Sequence, residues 1–257
     1  MKDNPMLRAA RCAAVAAIIC LACAWPSIAK AYRPFNSTDA AVAAKGEMEI
    51  EFGPLGFVKE GPDKSLVAPS VIFNWGMADR WELVLEGRHF AQLGSKIEGA
   101  RFRVEDSGLS LKGVLREGSL QEKAGVSIAS ESGALLPGIN GESGMGVQET
   151  IIVSQRWPDL TVHLNGAVAW TRAHRLGLFG GAIFEVHDAW AIRPVAEIFV
   201  EGERDEPTEV SGLVGAIWRV RDGLSLDAGL RRSRADGVDT NEIRAGLTWA
   251  FSMGVPK

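Results

Sequence analysis

The sequence predicts an all-β protein: a single antiparallel up-and-down transmembrane β-barrel of about twelve strands, preceded by a short lead-in or plug segment. Three observations predict it. Apolar and polar residues alternate along segments that recur to the C-terminus, short and long connections alternate between them, and tryptophans gather beside the short connections. Because successive side chains of a strand point to opposite faces, each such segment has one apolar and one polar face.

The first residues do not belong to the predicted barrel. Three basic residues precede an apolar run, and the Ala-Lys-Ala of residues 29–31 fits the cleavage pattern of a secretory signal peptide. Pro26 interrupts the run before it reaches the about 20 residues that a spanning helix needs. We therefore expect a signal peptide at 1–31, cleaved near Ala31, and one barrel domain at 32–257 in the outer membrane of a Gram-negative bacterium.

Composition excludes several classes of function. All three cysteines precede residue 24, so the mature chain would contain neither disulfides nor thiolate sites. Loss of residues 1–31 removes four of the 28 basic and one of the 32 acidic residues, which leaves 24 and 31 and a net charge of −7. This balance argues against nucleic acid as a partner. The expected partners are outer-membrane lipid and small-molecule solutes, and the sequence identifies no protein partner.

The alternating segments define the predicted strands, most of them close to the about 9–11 residues of a tilted membrane strand. The predicted strands are 45–52, 66–75, 80–90, 107–116, 122–131, 146–156, 160–171, 176–187, 190–201, 209–220, 223–232 and 242–252.

The predicted connections alternate in length, as in outer-membrane barrels, whose short turns are periplasmic. Only the link 172–175 breaks the alternation. The short connections are Gly76–Asp79, Glu117–Gln121, Pro158–Asp159, Asp188–Ala189 and Arg221–Asp222, and the long ones are 53–65, 91–106, 132–145, 202–208 and 233–241.

Tryptophans on the apolar parity predict an aromatic girdle, because an indole prefers the boundary between hydrocarbon and water. Trp170 falls at the opposite rim. One carboxylate, Glu149, shares the apolar parity of its strand; it lies near a strand end, or the register there is off by one. The predicted membrane-interface girdle comprises Trp75, Trp81, Trp157, Trp190, Trp218 and Trp249.

A secreted β-sandwich is the alternative fold, with the tryptophans in its core. Two features oppose it. Glycines recur on the apolar face, where a core would lose packing volume, and core tryptophans would have no reason to favour one set of turns.

If the apolar face meets lipid, the polar face lines the lumen. Its charges form either a lattice of salt bridges that fills the barrel or a selective polar channel. An inward apolar patch is either a path for small hydrophobic solutes or the seat of a plug. The candidate pathway residues are Phe179, Ile183, Phe199, Leu213, Ile217, Glu82, Glu86, Arg88, Arg193 and Glu197.

The lead-in before the first strand carries a possible plug motif, Arg33, Pro34, Thr38 and Asp39. Thr38 or Asp39 is a plausible N-cap, the following alanines favour helix, and Gly46 suits the left-handed position after a helix. The sequence thus predicts a short helix or plug at the periplasmic mouth, or an ordered but inert lead-in.

This region resembles a known family. The "RPF" at 33–35, Thr38-Asp39, Gly46 and the E-x-E-x-G at 49–53 are similar to the amino-terminal pattern of outer-membrane proteins grouped as "MetA-pathway of phenol degradation". The resemblance implies a β-barrel that moves small, often aromatic or apolar, compounds across the outer membrane.

No catalytic, metal or cofactor site is expected. The histidines are His89, His163, His174 and His187, and they show neither metal-ligand spacing nor a nucleophile elbow. The predicted function is therefore passive passage of small molecules through a porin-like barrel. The alternatives are a non-conducting structural or adhesive barrel that acts through its loops and, more weakly, a lipid-modifying enzyme with Ser130 or Ser132 near His174.

Overall fold

The computed structural model describes residues 33–94, 100–186 and 190–254. The predicted signal peptide, residues 1–31, and the histidine at 187 lie outside the described residues. The described chain forms a closed antiparallel barrel in which each strand pairs with its neighbours in sequence and β1 pairs with β12. The strands are β1 (Glu47–Glu60), β2 (Asp63–Ala78), β3 (Trp81–Leu93), β4 (Phe102–Arg116), β5 (Ser127–Leu135), β6 (Gly146–Arg156), β7 (Leu160–Trp170), β8 (Leu176–Val186), β9 (Ile192–Glu203), β10 (Glu209–Arg221), β11 (Leu224–Ala235) and β12 (Val238–Ser252).

The prediction of a twelve-stranded up-and-down barrel is confirmed, and the sandwich alternative is wrong because the sheet closes on itself. The chain enters and leaves at one end, where the Met253 amide donates to the Gly46 carbonyl. We call this the entry end and the opposite one the loop end. Within the described residues, no helix is long and apolar enough to span a membrane.

Two predicted long connections are wrong. The segments 53–65 and 233–241 are largely strand, and each contains a two-residue turn, at 61–62 and at 236–237. Gly61 (φ 51°) and Gly237 (φ 78°) supply the left-handed backbone that such tight hairpins require. Beyond the apolar band, both hairpins carry charged residues on both faces. Their sequences therefore lack the alternation of apolar and polar residues by which the other strands were predicted.

The predicted strand 122–131 is also wrong in its first half, and the connection before it is longer than predicted. Residues 117–126 connect β4 to β5 and contain a single 3₁₀ turn, Ser119–Gln121. Leu120 of this turn is buried at 5% exposure. The turn therefore packs against the barrel instead of extending β5.

The outer face of the barrel is apolar and the inner face polar. Leu164, Val168, Ile198 and Val214 are 47–62% exposed, whereas the inward Glu51, Lys112, Glu197 and Thr248 are 0–1% exposed. Glu149 lies on the outward parity, opposite Val168 and Ser132 in the register. The predicted register of this strand is therefore correct, and the carboxylate lies three residues from the loop-end start of β6.

The six tryptophans of the predicted girdle are all 37–54% exposed and lie near the entry end, and Trp170 at the loop end is 51% exposed. The Trp81 indole lies over Gly113 on β4, where a Cβ atom would collide with the ring. Their contact with the membrane interface stays a prediction.

Candidate functional site: the lumen and its lead-in segment

Residues 33–46, which we call the lead-in segment, run around the inside of the barrel wall. Arg33 contacts β1, β2, β11 and β12, and Asn36 contacts β9. Thr38 then contacts β7, Ala40 contacts β6, Ala43 contacts β3, and Gly46 donates to β2. The segment thus follows the wall in order of falling strand number and completes a circuit before it enters β1.

The predicted helix in this segment is wrong. Its backbone amides bond to wall side chains instead of to carbonyls four residues earlier. Glu197 accepts from Asn36 and Ser37, and Ser154 accepts from Ala40 at 3.0 Å. Since each amide has one proton to donate, an inner wall rich in carboxylates and hydroxyls outcompetes the helix. The left-handed conformation predicted for Gly46 is present, with φ 79°.

Two arginines fix the start of the segment. The Arg33 guanidinium donates to Ser70 Oγ at 2.8 Å and to the Ala245 carbonyl at 3.3 Å. From the wall, Arg244 donates to the Pro34 carbonyl at 2.7 Å. The same Arg244 donates to Glu242 at 2.8 Å, so the wall holds it in place.

A buried amine holds the middle of the segment. Lys112 on β4 is 1% exposed; its Nζ lies 3.1 Å from Thr38 Oγ1, 3.4 Å from Glu82 Oε1 and 3.7 Å from Asp39 Oδ1. Glu82 in turn accepts the Ala43 amide at 2.6 Å. Two residues of the predicted plug motif and one predicted lumen carboxylate therefore meet at one ammonium.

Inward glycines make room for the segment. A Cβ atom at Gly76 would collide with the backbone of Ala43 and Ala44, and one at Gly246 would collide with the Arg33 side chain. At Gly229 it would meet Pro34 at 3.0 Å. The absence of side chains at these glycines thus leaves the space that the lead-in segment occupies along the wall.

An apolar cluster lies at the entry end beside the 3₁₀ turn. Ala40 and Ala41 pack with Leu120 of the turn and with Ala129 and Ile152 of the wall, all at 0–5% exposure. The Gln121 amide donates to the Ala40 carbonyl at 3.0 Å. The β4–β5 connection and the lead-in segment therefore pack against each other on this side of the barrel.

A serine, a histidine and a glutamate lie in line on the wall beneath Ala40. Ser154 Oγ is 2.8 Å from His163 Nδ1, and His163 Nε2 is 3.2 Å from Glu185 Oε1. These are the elements of a nucleophile–base–acid triad. However, Ser154 is fully buried and its oxygen accepts the Ala40 amide, so the arrangement holds the lead-in segment. Sequence reasoning missed it, although Ser154 and His163 flank one tight turn in register.

The predicted inward apolar patch faces inward and is largely covered. Phe35 packs on Val195 and Ile217, and Ile183, Phe199 and Leu213 are 0–3% exposed. Phe179 packs on Phe199 with ring centroids 5.3 Å apart. Of the five apolar pathway residues, Phe179 alone borders the open lumen in the described part of the chain.

Above the lead-in segment, towards the loop end, the lumen holds a cavity of about 350 Å³. Its lining carries more carboxylates than basic side chains. The carboxylates are Glu51, Glu82, Glu86, Asp106, Glu131, Glu201 and Glu242, and the basic residues are Arg33, Arg88, Lys112 and Arg244.

The basic side chains of this cavity are already engaged by carboxylates. Arg88 donates to Glu242 at 2.7 Å and to Asp106 at 3.3 Å. Arg231 donates both to the same Glu242, at 3.1 Å, and to Glu209, at 2.8 Å. In the described residues, Glu86 and Glu201 face the cavity without an ion pair. The cavity lining therefore carries more carboxyl groups than its basic side chains can pair with.

The remaining predicted pathway residues lie outside the cavity lining. Arg193 pairs with Glu185 at 2.9 Å, and Glu197 is occupied by two lead-in amides. Ser130 and Ser132 lie on the outward face of β5, where Ser132 donates to Glu149. Among the described residues, no group of three or more His, Cys, Asp or Glu side chains is placed to hold a metal ion.

Comparisons with known proteins show the fold. No protein-family model and no curated protein matches the chain. An outer-membrane channel from Pseudomonas putida F1 is similar with a TM-score of 0.59 and 12% identity over 84% of this chain and 99% of that one. The NanC porin (TM-score 0.56, 8% identity, 79% and 98% covered) and the KdgM porin (0.52, 10%, 79% and 99%) are also similar. The chain therefore has the fold of outer-membrane channels, and the resemblance to the phenol-degradation family stays a prediction.

Proposed function

We propose that the protein is a passive outer-membrane channel for small molecules, exported by cleavage of residues 1–31. The observation that carries the proposal is the cavity of about 350 Å³ inside a closed barrel with an apolar outer face. A closed barrel leaves no unpaired sheet edge in lipid, and a polar lumen supplies hydrogen bonds to a hydrated solute. The folds of the P. putida channel and of the two porins support the same proposal.

Solute flux through reconstituted protein tests this proposal. Purified full-length mature protein in liposomes should pass small sugars and aromatic acids, which is detected as swelling. A matched preparation of unfolded protein, added at the same protein-to-lipid ratio, controls for leakage. Liposomes that hold the folded barrel, verified by its anomalous migration when unboiled, and yet do not swell would contradict it.

The specific observation that favours a non-conducting structural barrel is the circuit of the lead-in segment, which narrows the lumen at the entry end. The flux experiment separates the two functions. An enzymatic role has less support, because the one Ser–His–Glu arrangement in the described chain is covered by Ala40. Release of fatty acid or peptide from added substrate, lost in His163→Ala, would overturn that judgement.

Phe179 is the residue of the predicted apolar patch that an aromatic solute in the cavity would contact. We expect Phe179→Ser to lower the flux of a neutral aromatic solute severalfold and to leave sugar flux nearly unchanged, because a ring face is lost and no charge is altered. Phe184→Ser, on the outward face of the same strand and 36% exposed, is the matched control. Equal effects on both solutes would remove Phe179 from the pathway.

A further inference from the structure

A row of inward residues crosses neighbouring strands of the cavity wall. In the register, Ala167 on β7 lies opposite Phe179 on β8, and Phe179 lies opposite Glu201 on β9. Glu201 in turn lies opposite Glu209 on β10. Ala167, Phe179 and Glu201 line the cavity. Since the Cβ atoms of directly opposed residues are about 4.5–5.5 Å apart, the row places an apolar surface directly beside a carboxyl group.

The carboxyl group of Glu201 lacks a cation. Its neighbour Glu209 is paired with Arg231 at 2.8 Å, and the same guanidinium also donates to Glu242 at 3.1 Å. Glu201 faces the cavity as an exposed residue and forms no ion pair with any described residue. Two acidic side chains directly opposite each other are unfavourable, so a cation that reached Glu201 would relieve this repulsion.

The Phe179 ring supplies a second attraction for a cation. It packs on the Phe199 ring with centroids 5.3 Å apart and borders the cavity. The Arg231 guanidinium already lies 5.7 Å from the Phe199 centroid, so one ring of this pair holds a cation. A cation within about 6 Å of a ring centroid is attracted to the ring face. Because Phe179 and Glu201 are direct cross-strand neighbours, an ammonium bound to Glu201 can lie within this range of Phe179.

We propose that Ala167, Phe179 and Glu201 form a subsite for a small organic cation, a primary ammonium attached to a short apolar group. The ammonium donates to Glu201 beside the Phe179 ring, and the apolar group contacts Phe179 and Ala167. A sugar has no charge for Glu201, and an anion is repelled by it. This inference names the solute class of the proposed channel, and it rests on that function only for the passage of the solute.

Calorimetric titration of the folded mature barrel in a non-ionic detergent tests the subsite. The probe is phenethylammonium chloride at pH 7, where an alkylammonium is charged. We expect it to bind at least about tenfold more tightly than 2-phenylethanol, which has the same ring and chain, because charge-assisted hydrogen bonds are roughly twice as strong as neutral ones. The anion 3-phenylpropionate should bind more weakly than the alcohol. Titration of detergent alone gives the micelle background. Equal affinities for the ammonium and the alcohol overturn the proposal.

Variants test the two halves of the subsite. Glu201→Gln keeps the shape of the side chain and should weaken ammonium binding at least about tenfold, with little effect on the alcohol. Phe179→Leu retains both carboxyl groups and should weaken ammonium binding severalfold, so it keeps the test available if Glu201→Gln does not fold. Glu60→Gln, exposed at the end of β1 and outside the cavity lining, is the matched control and should change neither affinity. Parent affinity for the ammonium in either subsite variant overturns the proposal.

Liposome swelling, measured on the same preparations, separates this inference from the proposed channel function. Swelling in sugar without preferential binding of the ammonium overturns the subsite and leaves the channel in place. Preferential binding by a folded barrel that does not swell liposomes overturns the channel and leaves the subsite in place.

Discussion

Replacing Lys112 by methionine is expected to lower the free energy of unfolding by about 3–5 kcal/mol, because removal of one partner leaves buried carboxylates uncompensated. Asp39 and Glu82 lie within 3.7 Å of the ammonium, and Lys112 is 1% exposed. Methionine keeps the length and apolar stem of the side chain. The loss therefore reports the charge and its hydrogen bonds, and is measured as the shift in denaturant midpoint at which unboiled protein loses its compact form.

Lys123→Met is the matched control for this prediction. Lys123 pairs with Glu117 in the β4–β5 connection and its side chain is 57% exposed, so solvent replaces the lost contact and the midpoint should not move. A double variant, Lys112→Met with Glu82→Gln, should recover part of the loss, since the unpaired carboxylate is gone. Equal midpoints for the two lysine variants would mean that Lys112 does not hold the lead-in segment.

Replacing Gly76 by valine is expected to raise the conductance of the barrel severalfold. A Cβ atom at Gly76 would collide with the backbone of Ala43 and Ala44, which cannot rotate aside as a side chain can. The end of the lead-in segment must then leave the wall, and the hydrogen bond that the Gly46 amide donates to the Gly76 carbonyl is lost with it. Single-channel recording in planar bilayers measures the change.

The control is Gly212→Val on the outward face of β10, where nothing lies within 4 Å of the added Cβ atom. It should fold and conduct as the parent protein does. A Gly76→Val barrel that folds and keeps the parent conductance would show that the lead-in segment does not limit flow.

The barrel was predictable because every strand must present one apolar face and one polar face, so the same alternation repeats along the sequence. Alternation of Leu164 and Val168 with His163 and Asn165 fixes which face is apolar, whatever the exact strand ends. The ends themselves were less predictable. Residues 53–65 and 233–241 extend past the apolar band, so they carry polar side chains on both faces and resemble loops. Their hairpin turns were nevertheless marked by Gly61 and Gly237.

The lead-in segment was only partly predictable for a different reason. Its alanines favour helix locally, but the competing acceptors, Glu197, Ser154 and Glu82, are far away in sequence and come together only when the barrel closes. One signal was present: glycines such as Gly76 and Gly246 interrupt the polar, inward parity. Such glycines indicate that another backbone approaches the wall.

The apolar patch shows what periodicity cannot decide. The period of two correctly predicted that Phe199 and Leu213 face inward. Only the closed structure, however, brings Pro34 and Phe35 against this side of the wall. Phe179, at the edge of the covered region, remains beside the cavity. The same alternation is therefore compatible with apolar residues that the lead-in segment covers and with apolar residues that line the open lumen.

A cysteine cross-link tests most directly that the lead-in segment lies against the inner wall of a closed barrel. The mature chain would contain no cysteine, and a Cβ atom at Gly181 would touch Ser37 Oγ. Ser37→Cys with Gly181→Cys should form a disulfide on mild oxidation of the folded protein, seen as a mobility shift that reductant reverses. Ser37→Cys with Gly180→Cys, whose new side chain points outward from the same strand, should not. Equal cross-linking of the two pairs, or none in either, would contradict the account.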